Sequence, residues 1–95
     1  MKAVGKTVDG KPVVGGLFYY YDTLGIPMDM ILSFCADNGC VPDFLGLFID
    51  GRKTMAADHL IPLLVSATQD SYGFEFAREV ENTLRKILDH DGARV

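Results

Sequence analysis

The chain has 95 residues, 48% of them hydrophobic, with nine Lys and Arg against thirteen Asp and Glu and a net charge of −4. That length supports one core burying roughly 60–70% of the unfolded surface without metal or disulfide staples, and it leaves no room for a second domain. The bases are scattered among the N-terminal arm, a mid-chain turn and the C-terminal region, which disfavours a nucleic-acid partner, and no run approaches the roughly 18–20 apolar residues that span a bilayer.

Residues 1–16, MKAVGKTVDGKPVVGG, put short β-branched runs on either side of Asp9-Gly10, a dipeptide suited to the positive φ of a hairpin turn. A β-hairpin or extended arm is expected there, closed off by Gly15-Gly16. Residues 17–24 are the first helix candidate, although Phe18-Tyr19-Tyr20-Tyr21 has strand propensity too. Gly25 suits the position just past a helix and Pro27 the first turn of the next, so LGIP reads as a corner.

In the second helix Met28, Ile31, Leu32 and Cys35 follow the i, i+3, i+4, i+7 pattern, with Met30 and Phe34 in an adjoining row. Asp29, Ser33 and Asp37 recur every four residues as its polar strip. The expectation is a helix nearly all buried, with a narrow acidic edge. Asn38-Gly39 stops it, and Pro42 with Asp43 starts a third whose Val41, Phe44, Leu45 and Phe48 are read as inward, ending at Gly51.

Pro62 is tolerated only near a first turn, so Asp58 is the preferred cap of a helix running to about Thr68, with Leu60, Leu63, Leu64 and Ala67 inward. Ser71 then caps the longest helix, residues 72–89, where Phe76, Ala77, Val80, Leu84, Ile87 and Leu88 line one face. Its acids come first and its bases last, as the helix dipole favours. The fold class is therefore mostly α: a single small domain of four or five short helices with an N-terminal β-hairpin or extended arm. Its parts are an arm over residues 1–16, a helical domain over 17–90 and a frayed tail over 91–95.

Chemistry-bearing motifs are sparse. Gly5-Lys6-Thr7 matches the end of a phosphate-binding loop but lacks the earlier glycine and the strand before it. Cys35 and Cys40 are a single pair without clustered histidines, short of the four ligands of a structural zinc site, and read as thiols in a reducing compartment. His59 and His90 sit in no nucleophile motif, and Asp89-His90-Asp91-Gly92 opens like a calcium loop with too few residues after it to complete the ligands. No cofactor and no metal is called for.

Residues 31–50 carry small and apolar residues at helix-turn-helix spacing, namely Cys35, Gly39, Cys40, Leu45 and Phe48, with polar Asn38 out of pattern. The second helix of that unit offers no Arg, Lys or Gln to read bases.

YDTLGIPMD, residues 21–29, is similar to the Tyr-Asp-Thr-aromatic-Gly-Phe-Pro-Leu-Asp string of the alanyl-tRNA synthetases. Tyr21, Asp22, Thr23, Gly25, Pro27 and Asp29 match, Leu24 and Ile26 depart from the aromatics, and Gly39 and Asp43 extend the similarity. A chain this short does not hold a complete synthetase catalytic core, so the resemblance is read as a shared helix corner and assigns no family.

The leading functional expectation is a small, acidic, non-enzymatic protein-binding module in the cytoplasm, an adaptor or inhibitor of a larger macromolecular machine of the kind phages encode. Its binding residues are read as Asp22, Asp29, Asp37, Asp43 and Asp50, with no base between residues 17 and 50, bordered by Tyr19 and Tyr20. Such a surface suits a protein partner with a basic patch. The surplus apolar content also suits a homo-oligomer. The alternative is a helix-turn-helix-like, nucleic-acid-associated module using the lysine arm and Arg52-Lys53, and a third reading is a small enzyme built on His59.

Overall fold

The computed structural model describes residues 2–92. Strands β1 (Lys2–Lys6) and β2 (Pro12–Gly15) pair antiparallel from Lys2↔Gly15 to Lys6↔Pro12, with an irregularity between Ala3 and Gly5. This is the expected hairpin. Its loop is held by Thr7 N–H donating to the Lys11 carbonyl at 2.8 Å and Gly10 N–H to the Thr7 carbonyl at 3.0 Å, with Gly10 at φ 88°. The Thr7 hydroxyl donates to the Asp9 carboxylate, which holds that carboxyl below its ordinary range.

A third strand, β3 (Val41–Pro42), lies parallel to β2 in the register Val13↔Val41 and Val14↔Pro42. The expectation that Val41 and Pro42 open a helix is corrected here. The sheet order is β1-β2-β3, so Pro42 sits on an edge strand, where its missing N–H interrupts no central ladder. The Asp43 N–H extends the connection by donating to the Val14 carbonyl at 2.8 Å.

Helix α1 (Phe18–Asp22) settles the helix-or-strand question at residues 18–22 for helix, one turn long and shorter than expected. Gly25, at φ 70°, turns the chain, and Ile26 N–H donates back to the Tyr20 carbonyl at 3.0 Å. Helix α2 (Met28–Asp37) follows Pro27, with Met28, Ile31, Leu32 and Cys35 buried as their spacing requires. It is not nearly all buried, however. Met30 is 59% and Phe34 55% exposed, because α4 covers the first apolar row and no element of the described residues covers the second.

Helix α3 (Phe44–Gly51) is capped by Asp43, whose carboxylate accepts from Gly46 N–H at 3.1 Å. Since the helix begins only after that cap, Val41 lies on the strand and not on the helix, and the inward residues are Leu47, Phe48 and Gly51. Leu45, expected inside, is exposed.

Helix α4 (Ala57–Tyr72) begins after Ala56 with no side-chain cap, so Asp58 lies within its first turn and does not cap it. Pro62 stands inside the helix on its exposed side, where the ring removes one backbone bond without blocking the buried face. The helix runs past Thr68, whose buried hydroxyl donates to the Leu64 carbonyl at 2.6 Å. Gly73, at φ 93°, ends it and starts helix α5 (Phe74–Gly92). Ser71 therefore belongs to α4 and caps nothing. Helix α5 runs through Gly92, two residues into the tail expected over 91–95, and residues 93–95 lie outside the described residues.

The core is one cluster built around Leu32, Cys35, Phe48, Leu60, Leu64 and Leu84. Helix α4 is its spine, packed on α2 along one side and α5 along the other, while the hairpin closes the end through Val14. Burial of this apolar set at about 25 cal/mol per Å² is the main term favouring the folded chain.

Candidate protein-binding surface

The helical repeat sets two rows side by side on the outer face of α2. Met30 and Phe34 are four residues apart, and so are Asp29, Ser33 and Asp37; Ser33 and Asp37 follow Met30 and Phe34 by three, which makes the rows neighbours. All five side chains are exposed. The helix thus shows solvent an apolar row flanked by an acidic one, while its third row is buried.

The apolar row continues across the corner. Tyr20 of α1, Ile26 of the corner and Met30, Ile31 and Phe34 of α2 line an open groove of about 390 Å³. Exposed Tyr19 stands beside it, its ring edge-on to Tyr20 at 5.7 Å between centroids. On the other flank, Asp29 borders a second hollow of about 360 Å³ together with Asp70 of α4, an acid that sequence spacing had not grouped with it. No Lys or Arg occurs in α1, α2 or the corner between them.

The five aspartates expected to act together have different roles. Asp22, Asp29 and Asp37 are exposed at the end of α1 and along α2. Asp43 spends its carboxylate on the α3 cap, and Asp50 forms an ion pair with Lys53 at 3.4 Å. Both partners lie only three residues further along, and reading the aspartates as one recurring strip passed over them. Sequence spacing also missed Met30, Phe34 and Ile26 as surface residues, because an apolar row on a helix signals burial until the neighbouring elements are known.

His59 is exposed in the first turn of α4, and His90 is exposed near the end of α5. Neither lines the hollows described above. Cys35 is fully buried and its thiol is pushed up by burial; Cys40 is half-buried, its thiol donating to the Asn38 carbonyl at 3.4 Å, and neither is in a disulfide. Among the described residues no cluster of three or more His, Cys, Asp or Glu is placed to hold a metal, and no helix is long and apolar enough to cross a membrane.

In the stretch with helix-turn-helix spacing, residues 38–43 join α2 to α3 and include strand β3. That connection is longer than the three- or four-residue turn of the motif and carries the chain along the sheet edge between the two helices. Compared with protein-family models, curated proteins and solved structures, the chain has no match in any of the three.

Proposed function

We propose that this protein is a non-enzymatic protein-binding module whose docking surface is the α1–α2 face, and that its partner presents apolar side chains flanked by basic ones. One observation supports this reading above all: Met30 and Phe34 stand more than half exposed at the mouth of an apolar groove, directly beside the Asp29–Ser33–Asp37 row. Large side chains of this kind, contiguous and rimmed by charge, are what protein interfaces present. The negative rim repels phosphate and attracts Lys and Arg, so it favours a basic protein surface over nucleic acid.

The test is affinity capture from the native host with the parent chain and with a Met30→Asp/Phe34→Asp variant, both checked by thermal melting. The expected result is a bound protein that the variant loses at an unchanged melting temperature. Equal capture by the two chains overturns the assignment of this face.

A further inference from the structure

A second apolar surface lies on different helices, along the seam where α3 runs beside α5. Leu45 and Ile49, one helical turn apart on α3, are 50% and 52% exposed. Beneath them the seam opens into two hollows that share Ile87 of α5. The first, about 240 Å³, lies at the Phe44–Phe76 end, where the two rings stand 5.9 Å apart, and carries Glu79 on its lip. The second, about 310 Å³, lies at the other end of α3 and carries Arg52 and Lys53, the latter paired with Asp50 at 3.4 Å. The Arg52 guanidinium is held over the Phe48 ring at 5.5 Å, which fixes where its charge sits. The seam is therefore apolar along its length, with the Glu79 carboxylate at one end and the Arg52 guanidinium at the other.

Such a strip is its own complement. A two-fold axis through its middle, near Leu45 and Ile49, lays a second seam antiparallel on the first, so that the Glu79 end of each copy meets the Arg52–Lys53 end of the other. The same operation sets the two α3 helices antiparallel, the favourable arrangement of their dipoles. An isologous interface demands this pairing of unlike ends of one patch. We propose that the α3–α5 seam is the interface of a two-fold symmetric homodimer, with a second copy of this chain as its occupant.

Sedimentation equilibrium of the full chain over a range of concentrations tests this. The expected species is a dimer. Leu45→Asp with Ile49→Asp is expected to weaken it at least a hundredfold, and Glu79→Arg or Arg52→Glu alone about tenfold. Combining Glu79→Arg with Arg52→Glu restores the pairing with exchanged signs and brings the dimer back. All four side chains are exposed, and melting curves confirm that each variant folds. The proposal is overturned by a parent chain that stays monomeric throughout. It is equally overturned by a dimer that survives Leu45→Asp/Ile49→Asp, or by a charge-exchanged double variant no better than the singles. Because the α1–α2 variants are read by partner capture and these by self-association, failure of one proposal leaves the other standing.

Discussion

The hydroxyl of Tyr72, the last residue of α4, donates to the backbone carbonyl of Cys40 at 2.6 Å, across 32 residues of chain. Cys40 immediately precedes β3, so this one bond ties the end of the central helix to the segment that enters the sheet. Burial raises the phenol above its ordinary range and keeps it a neutral donor. Tyr72→Phe is expected to cost about 1 kcal/mol, the usual net value of such a bond. Denaturant unfolding reads this as a lower midpoint at unchanged slope; an unchanged midpoint would show that the tie contributes nothing.

Gly51 lies against Leu60. A Cβ on Gly51 would stand 2.7 and 2.8 Å from the two methyl carbons of Leu60, which is fully buried, so those methyls must shift within the core. Gly51→Ala therefore sets an overpacking cost of about 1–3 kcal/mol against at most about 1 kcal/mol of helix propensity. A net loss of stability is expected. Leu60→Ala alone should cost about 2–5 kcal/mol, and the double variant less than the sum, because the new methyl enters the space vacated. Strict additivity in a double-mutant cycle would refute the contact.

Alkaline pH should destabilise the fold in a defined order. Burial raises both the Cys35 thiol, above its ordinary 9.0, and the Tyr72 phenol. For a group with a raised folded value the unfolded chain ionises first, so its contribution is full below the unfolded value and declines as pH climbs past it. The melting temperature should hold up to about pH 8 and fall above about pH 9, with the thiol acting first. Cys35→Ala should remove the early part of that fall. An identical profile for the variant would exclude the thiol as its source.

The acidic row on α2 should act on association rate more than on dissociation. Asp29→Lys with Asp37→Lys reverses two exposed charges beside the groove and touches no buried residue, so the melting curve should stay within error of the parent. Against a captured partner the variant is expected to associate about tenfold more slowly at low salt, the difference shrinking as the Debye length falls to about 8 Å at physiological ionic strength. Equal rates at low salt would remove the acidic row from the mechanism.

Much of the fold was legible because its signals are local. Asp9-Gly10 between β-branched runs specified the hairpin, Gly25 and Pro27 specified the corner, and the repeat of Met28, Ile31, Leu32 and Cys35 specified the buried row of α2. The errors cluster where a partner far along the chain overrides a local preference. Pro42 is extended because the edge of β2 was free to receive it. Pro62 sits inside α4 because the packed face lies on the helix's other side. Gly73, not Ser71, divides α4 from α5 because only a residue content at φ 93° lets α5 fold back along α4.

The candidate surface divides in the same way. Composition and periodicity alone determined a small, mostly helical, acidic chain and placed Asp29, Ser33 and Asp37 on one line, since both depend only on residue order and the pitch of a helix. Only the tertiary structure decided that Met30 and Phe34 are surface and that Leu45 faces water. Exposure is a property of what lies across from a side chain, and for every one of these residues the covering element, present or missing, comes from a distant part of the chain.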